Sequence, residues 1–330
     1  MHDEDKDMDH RYIETKNYKG FKHKKITFAI SSLLKGINTD IVILSHINLL
    51  FFAFIIKKLS PKTKIVMYAH GIELWREIPN WKKKFLQESV EIWAVSKYTS
   101  STLTARHQIS TEKIKIVNNC LDTYFKLPNN FEKPITLLAR YNLNAAQPIL
   151  FTLTRLSSLE TYKGYDRVLS SMPALLKKFP NLHYVLAGKA DDVENQRVLS
   201  IVEQLNLKSH VTLVGFIKDE ELTDYFKLGN IFVMPSTMEG FGIVFIEAAA
   251  CGAKIIAGNV DGSVDALLNG ELGTLINPED VDAITQAIEE NLNRKIDPKQ
   301  IQDCCMANFS YEQYLKRIKE LIIPTSNKAA

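Results

Sequence analysis

Two acidic residues, Glu239 and Glu247, lie eight positions apart and enclose a glycine-flanked turn, Gly240-Phe241-Gly242. An apolar segment, 231–235, precedes them, and a helix-like run follows the turn. A strand, a glycine loop and a helix in this order are typical of the ligand site of an open parallel α/β sheet. The amides at the start of such a helix attract phosphate, whereas carboxylates suit hydroxyl groups. The pattern therefore predicts a ligand that carries both phosphate and many hydroxyls, as a nucleotide sugar does.

Two cations lie at the end of another predicted strand, 149–154. Arg155 follows the strand directly, and Lys163 lies at the start of the next helix. An arginine fork and a lysine point charge together can neutralise a diphosphate. Each cation taken alone favours a solvated surface position. Because the Glu239 loop is expected at the same edge of the sheet, the set as a whole favours a diphosphate site.

Three further segments carry weaker signals. Gly215 and Phe216 follow the predicted strand 211–214, where a glycine lets the backbone approach a ligand closely; a plain turn is the alternative. The polar loop 258–265 could border the same ligand or simply connect two elements. His70 ends a predicted strand beside a glycine and could act as an acid or base or orient a hydroxyl. A lone histidine is more often structural.

Apolar strands alternate with amphipathic helices over most of the chain. The predicted strands are 41–45, 64–68, 92–95, 114–117, 149–154, 183–187, 211–214, 231–234 and 254–257. The predicted helices are 96–106 with Ser96 as its N-cap, 164–178, 192–205, 219–227, 242–251, 281–293 and 311–322. This alternation indicates parallel sheets with right-handed crossovers. We therefore predict an α/β fold of two doubly wound domains.

The chain is divided on composition into four parts. A charged N-terminal segment covers residues 1–25, the first domain 26–128, the second domain 129–310 and a final helix 311–324. Residues 126–148 contain three prolines and an Asn pair, which is typical of a linker.

Composition excludes several classes of protein. The chain is 45% hydrophobic and 24% charged, so most of it is globular rather than disordered. A net charge of +3 gives no reason to expect a nucleic-acid partner.

The four cysteines show no metal-ligand spacing and favour reduced thiols in the cytoplasm. The first ten residues are charged, unlike a signal peptide. Polar residues interrupt the apolar run 41–59, which favours a strand, a turn and a helix over a membrane span.

In this order, these residues resemble family 4 retaining glycosyltransferases of the GT-B fold, over about residues 25 to 325. The matching motifs are E-x7-E at Glu239 and Glu247, a basic pair at Arg155 and Lys163, G-F at Gly215 and Phe216, H-G-x-E at 70–73, and a segment similar to N-G-V-D at 119–122. The resemblance implies two Rossmann-like domains with a cleft between them. It also implies that the final helix crosses back onto the first domain.

The resemblance further implies an activity. A hexose would move from a UDP- or GDP-sugar to a glycan or lipid-linked acceptor in cell-surface polysaccharide synthesis, with retention at the anomeric carbon. No cofactor and no bound metal are implied, since the nucleotide sugar is a co-substrate. Arg155 and Lys163 would stabilise the leaving diphosphate. Glu239 would hold donor-sugar hydroxyls, and His70 would face the donor sugar from the first domain.

The other donor contacts are also implied by the resemblance. Glu247 would hold the ribose, backbone near Phe216 would contact the base, and the amides of the α-helix that follows the glycine loop would meet phosphate. The residues expected to bind the donor are Gly215, Phe216, Gly240, Phe241, Gly242, Ile243 and Glu247.

Three features depart from the family pattern. The first predicted strand, 41–45, resembles a later strand of the family, so we expect the first domain to lack one or two opening strands. Asp265 stands where many members have Glu, and Cys120 replaces a usual Gly. The shortened domain leaves an alternative open, a non-catalytic or truncated protein that binds nucleotide or a partner without turnover. A dinucleotide oxidoreductase is disfavoured, since no G-x-G-x-x-G follows the first strand of either domain.

Residues 57–84 are strongly basic and include Trp75 and Trp81. Basic and aromatic residues together suit an anionic membrane surface, and a solvated basic face is the equal alternative. The expected location is the cytoplasm, with peripheral contact at the inner face of the membrane.

Overall fold

The computed structural model describes residues 8–323. The chain forms two compact units. The first comprises the chain up to Ala94 together with Ser100–Ile116, and the second comprises Val95–Thr99 together with the chain from Val117 onward. The predicted boundary between residues 128 and 129 stays a prediction, as does the crossing of the final helix onto the first domain.

The first unit is built around a four-stranded parallel sheet. Its elements are α1 (Lys25–Gly36), β1 (Ile41–Leu44), α2 (Leu50–Leu59), β2 (Lys64–Ala69), α3 (Ile72–Trp75), α4 (Asn80–Ser89), β3 (Val90–Ala94), α5 (Lys97–His107) and β4 (Ile114–Ile116). The first three residues of α5 belong to the second unit. The strand order is β1-β2-β3-β4, and each neighbouring pair is parallel. Its core contains the strand residues Ile65, Met67 and Ile92, all at most 1% exposed.

The apolar run 41–59 forms a strand and a helix, as predicted. Ile41–Leu44 is β1 and Leu50–Leu59 is α2, with a short 3-10 turn at Ile47–Leu49 between them. Across residues 8–323 there is no helix of the length and apolarity that a bilayer crossing requires.

The second unit is built around a six-stranded parallel sheet. Its elements are α6 (Ile135–Arg140), β5 (Ile149–Leu153), α7 (Tyr165–Lys178), β6 (His183–Ala187), α8 (Asp192–Gln204), β7 (Val211–Gly215), α9 (Leu222–Leu228), β8 (Ile231–Met234), α10 (Ile243–Ala250), β9 (Lys254–Gly258), α11 (Ser263–Ala266), β10 (Thr274–Ile276), α12 (Val281–Asn293), α13 (Pro298–Phe309) and α14 (Tyr311–Ile322). The strand order is β10-β9-β8-β5-β6-β7, and all pairs are parallel. Two parallel sheets confirm the predicted α/β class.

The strand order of the second sheet reverses at β5. From β5 the chain proceeds outward through β6 to β7, and then returns to the other side of β5 as β8. In open α/β sheets a crevice forms at such a switch point, because consecutive loops leave the strand ends in opposite directions. In this sheet, the switch point lies at the carboxyl ends of β5 and β8.

Two of the predicted elements match the structure closely in their local detail. The Thr99 amide donates to Ser96 Oγ over 3.0 Å, so Ser96 caps α5 as predicted. The predicted helix 219–227 begins as a 3-10 turn, Asp219–Glu221, before α9. The elements that were not predicted are α1, α3, α4, α6, α11, α13 and β10. Of these, α6 falls within the predicted linker, where six residues bury Leu137 and Leu138.

Gly164 lets the start of α7 approach β8 at the switch point. Its φ is +78°, a left-handed conformation, and a Cβ at this position would lie 2.2 Å from the Pro235 carbonyl oxygen. That oxygen belongs to the backbone, which cannot turn aside as a side chain can. Only glycine therefore fits between Lys163 and α7 without moving the loop that follows β8.

Replacing Gly164 by alanine should destabilise the second unit by about 2 to 5 kcal/mol. The left-handed backbone costs a residue with a Cβ roughly 1–2 kcal/mol, and overpacking typically adds about 1–3 kcal/mol. Gly215→Ala is the matched control, because its φ is +76° but no atom lies within 4 Å of an added Cβ. Urea denaturation followed by circular dichroism measures both variants, and equal losses of stability would contradict the steric argument.

Candidate active site

The loops that follow β5 and β8 contact each other directly. The loop after β5 contains a 3-10 turn at Thr161–Lys163, and the Thr237 amide donates to the Tyr162 carbonyl over 3.0 Å. Together with the close approach of Gly164 to Pro235, this bond fixes the two loops side by side. The switch point thus brings together two segments that are more than 70 positions apart in the sequence.

The centre of this site is an ion pair between Lys163 and Glu239. The Lys163 ammonium donates to Glu239 Oε1. The two side chains are only 12% and 14% exposed. Burial raises the pKa of Glu239, with the Lys163 charge acting in the opposite direction and the Asp261 and Glu160 carboxylates adding to the rise. Because either charge alone would be costly in this environment, the two side chains hold each other in place.

Arg155, the other predicted cation, pairs with a different carboxylate. Its guanidinium contacts Glu160 Oε1 at 2.6 Å, and its side chain is 76% exposed whereas that of Glu160 is 17% exposed. The second oxygen of Glu160 is buried and has no hydrogen-bond partner among the described residues. The structure therefore brings Lys163 and Glu239 together and leaves Arg155 paired at the edge of the same loop.

The glycine loop 240–242 leads into α10. Gly242 adopts a left-handed φ of +85° and is the N-cap of this eight-residue helix. Phe241 is 2% exposed and its ring packs against Phe309, 5.5 Å between centroids. Ile243, the first residue of α10, is 44% exposed. The Phe241 side chain therefore anchors the loop to the core, and the start of α10 faces solvent.

Glu247 lies on α10, in acidic surroundings. Burial, and to a lesser extent the carboxylates of Asp219 and Asp122, raise the pKa of its carboxyl to about 7. A carboxyl with this pKa can donate or accept a hydrogen bond near neutral pH, which suits a hydroxyl-bearing ligand.

The predicted residues Gly215 and Phe216 lie at the carboxyl end of β7. Gly215 has a φ of +76° and open space around the position of a Cβ, and the Phe216 side chain is 73% exposed. The Gly188 amide, at the end of β6, donates to the Gly215 carbonyl over 2.8 Å. An exposed aromatic ring thus stands at a strand end on the same edge of the sheet.

His70 lies in the first unit, directly after β2. It is exposed, its ring stacks on Tyr68 at 4.9 Å between centroids, and its amide donates to Glu73 Oε1 over 2.7 Å. Gly71, with a φ of +140°, then turns the chain into α3. The roles assigned to His70 and to the other site residues stay predictions.

Two acidic residues at the site were not predicted individually. Glu160 precedes Lys163 by three positions, and Asp261 lies within the polar loop 258–265 as a buried carboxylate. The signal for Asp261 was an acid between glycines after a strand, but the sequence alone did not separate it from Asp265. Asp265 instead accepts from the Lys97 amide over 3.0 Å, a bond within the second unit. Within residues 8–323 there is no group of three or more His, Cys, Asp or Glu side chains placed to hold a metal ion.

Comparison with known families gives a consistent result for both units. Residues 139–303 match the model of the glycosyl transferases group 1 family, and residues 8–125 match that of glycosyltransferase family 4. The predicted resemblance is confirmed. The predicted shortening of the first domain stays a prediction.

Among curated proteins, the chain is 29% identical over 241 residues to a GDP-mannose-dependent α-(1-6)-phosphatidylinositol monomannoside mannosyltransferase of Mycolicibacterium smegmatis. The match covers 69% of this chain and 61% of that protein. The counterpart in Mycobacterium tuberculosis is 30% identical over 148 residues, covering 43% of this chain. The chain thus spans less than two thirds of the length of these relatives.

Among solved structures, a glycosyltransferase from Rickettsia africae is similar, with a TM-score of 0.76 and 21% identity over 95% of this chain and 85% of that one. HepE of Anabaena in complex with UDP has a TM-score of 0.75 and 17% identity over 89% of this chain and 81% of that one. These similarities show the fold, and the GT-B prediction is confirmed.

Replacing Glu247 by glutamine should change stability in a pH-dependent way. The carboxyl has a pKa of about 7 in the folded protein against an ordinary value of 4.5, so folding takes up a proton between these two values. The stability of the wild type therefore falls as pH rises from about 4.5 to 7, whereas glutamine has no such titration. The free energy of unfolding of Glu247→Gln minus that of the wild type should therefore be larger at pH 8 than at pH 5. The expected increase is on the order of 1–3 kcal/mol.

Thermal and urea unfolding at the two pH values measure this difference. A stability difference between the variant and the wild type that is the same at pH 5 and pH 8 would contradict the raised pKa.

Proposed function

Because the chain belongs to the glycosyl transferases group 1 family, we propose that it is a retaining glycosyltransferase that uses a nucleotide-diphosphate hexose. The acceptor that we propose is a glycan or a lipid-linked glycan in the synthesis of cell-surface polysaccharide. The observation that supports this proposal most strongly is the buried Lys163–Glu239 ion pair at the switch point of the second sheet.

The donor supplies a replacement partner for each member of this pair. A diphosphate offers anionic oxygens to the Lys163 ammonium, and the hexose offers hydroxyl donors to the Glu239 carboxylate. Exchange of the ion pair for these contacts leaves neither charge unpaired in the buried site. A ligand with only one of the two features, phosphate or hydroxyls, would leave one buried charge without a partner, at a cost of several kcal/mol.

Lys163 and Arg155 would also act on the reaction itself. Transfer breaks the bond between the anomeric carbon and the terminal phosphate oxygen, and the electron pair of that bond goes to the diphosphate. The acceptor hydroxyl oxygen forms the new bond to the anomeric carbon, and its proton passes to the departing diphosphate. Negative charge therefore develops at the diphosphate, where Lys163 is placed to stabilise it. Arg155 is exposed and held by a single carboxylate, so its fork can turn to the diphosphate without unpacking the core. Chemistry of this kind needs no resident metal, and metal independence is part of the proposal.

The helix α10 would hold the remaining polar parts of the donor. The first amides of a helix have no acceptor within the helix, and those of Gly242 and Ile243 lie immediately after the Glu239 loop. They suit a phosphate oxygen. Glu247, on the same helix, suits the ribose hydroxyls, and the exposed ring of Phe216 at the end of β7 lies in the part of the sheet edge proposed for the base.

The relatives support two classes of donor. The curated mannosyltransferase is GDP-mannose-dependent by name, and the HepE structure contains UDP. We therefore propose UDP- or GDP-hexoses as donors.

Lys163→Ala and Glu239→Ala should each reduce transfer by about 100-fold or more, which is the size of effect seen when one electrostatic contact to a transition state is lost. Lys163→Ala should also weaken binding of UDP or GDP alone, whereas Glu239→Ala should weaken only binding of the sugar-bearing donor. Release of nucleoside diphosphate from a panel of UDP- and GDP-hexoses, with calorimetry of the same ligands, measures these effects.

Lys177→Ala, an exposed lysine at the end of α7, is the matched control and should retain wild-type activity. Unchanged transfer by both site variants would overturn the site assignment. Donor binding without turnover of any acceptor would instead favour the alternative, a non-catalytic nucleotide-binding protein.

A membrane-facing surface on the first unit would suit a lipid-linked acceptor. Phe51 and Trp81 are 52% and 42% exposed, and their ring centroids lie 6.4 Å apart. Lys58 lies over the Phe54 ring at 4.6 Å and Lys82 over the Trp81 ring at 5.8 Å. Exposed aromatic rings bordered by lysines match the interfacial region of an anionic bilayer. We propose peripheral contact of α2 and α4 with the cytoplasmic face of the membrane.

Charge reversal on this surface should weaken membrane binding. Lys84 is an exposed lysine of α4. Each cation near an anionic bilayer contributes roughly 1 kcal/mol, so Lys58→Glu with Lys84→Glu should reduce partitioning by about 30-fold or more. Flotation with vesicles containing phosphatidylserine, compared with phosphatidylcholine alone, measures the effect. The control pair is Lys177→Glu with Lys295→Glu on the second unit, and an equal loss for both pairs would contradict this surface.

A further inference from the structure

Asp261 is a buried carboxylate beside the ion pair that the proposed reaction does not use. It lies in the loop after β9 and is 1% exposed. Its Oδ2 accepts from Ser236 Oγ at 2.6 Å and from the Glu239 amide at 2.7 Å, and its Oδ1 accepts from the Ser263 amide at 2.9 Å. Three donors converge on one side chain, which is the compensation that a buried charge requires.

The next residue, Gly262, holds the other side of Glu239. The Gly262 amide donates to the Glu239 carbonyl over 2.9 Å. A Cβ at Gly262 would lie 2.1 Å from the Gly240 carbonyl oxygen, so the two loops are as close as glycine allows. Both main-chain polar groups of Glu239 are thus bonded to consecutive residues of the loop after β9.

Two loops therefore hold different parts of Glu239. Its peptide groups are bonded to Asp261 and Gly262, whereas within residues 8–323 the bond to its side chain comes from Lys163. When a donor draws Lys163 toward its diphosphate, Glu239 loses the bond to its side chain but keeps the bonds of its peptide groups to the loop after β9. The position of the Glu239 carboxylate in the donor complex then depends on that loop.

We propose that Asp261 is a positioning residue, which acts through the Glu239 amide to place the Glu239 carboxylate on the hydroxyls of the donor hexose. This assignment rests on the proposed transferase function. Asp261 does not contact the donor, so its loss should affect recognition of the hexose and leave recognition of the nucleotide and the diphosphate unchanged.

The variant Asp261→Asn tests whether recognition of the hexose is lost while recognition of the nucleotide diphosphate is kept. Asparagine has the same shape but offers a single acceptor oxygen, and its NH2 group would face one of the three donors. We expect the Kd for UDP-glucose or GDP-mannose, whichever the wild type binds, to rise about 10-fold. The Kd for the corresponding free diphosphate, UDP or GDP, should stay within about 2-fold of wild type. Ser236→Ala, which leaves the bond from Asp261 to the Glu239 amide in place, is the matched control and should change neither value by more than about 3-fold.

A double-mutant cycle separates positioning from a general structural defect. If Asp261 acts through Glu239, then Asp261→Asn has no further effect on the sugar-dependent affinity in a Glu239→Ala background. Additive losses, or an equal loss of affinity for the free diphosphate, would overturn the proposal. Asp261→Glu, which keeps the charge and lengthens the side chain, is the second variant and should show the same selective loss.

Amide hydrogen exchange provides a readout that needs no donor. Exchange across residues 236–241 should be faster in Asp261→Asn than in wild type and unchanged in the α12 segment Val281–Asn293. If the wild type binds no nucleotide sugar, the proposed function fails. The role of Asp261 in holding the loop is then decided by exchange alone, and unchanged exchange would overturn it.

Discussion

The second unit depends on one constraint, that the buried charges of Lys163 and Glu239 must always have partners. Removing one charge from such a pair leaves the other uncompensated, at a cost of several kcal/mol. In the free protein the two side chains satisfy each other. A ligand can displace this contact only if it brings an anion for the lysine and hydrogen-bond donors for the carboxylate. The chemistry of the proposed donor follows from that requirement more directly than from any single motif.

The fold places this pair by topology and by close backbone contacts. The switch between β5 and β8 brings two distant loops to the same edge of the sheet. Glycines at 164 and 262 then let backbone approach backbone within the space that a Cβ would need. The loop that carries Glu239 is therefore held on one side by the loop after β5 and on the other by the loop after β9. The main chain of this loop is thus bonded on both sides, while the Arg155 side chain is exposed and paired with Glu160.

Much of this arrangement could be predicted from the sequence, for identifiable reasons. Buried parallel strands are short apolar runs bounded by turns, so strands such as His183–Ala187 and Ile231–Met234 were predicted to the residue. Glu239 and Lys163 were found because a motif in a known order pointed to them. Helix α6 was missed because six residues between prolines and asparagines show no helical period. Asp261 could not be singled out, since its role comes from two partners, Ser236 and Glu239, more than 20 positions away.

The central claim is that the Lys163–Glu239 pair opens to receive a nucleotide-diphosphate hexose. The most direct measurement is a crystal structure of the protein with a UDP- or GDP-hexose bound. We expect Lys163 Nζ within about 3 Å of a diphosphate oxygen and the Glu239 carboxylate on hydroxyls of the hexose. A donor bound elsewhere, with the ion pair still closed, would contradict the claim.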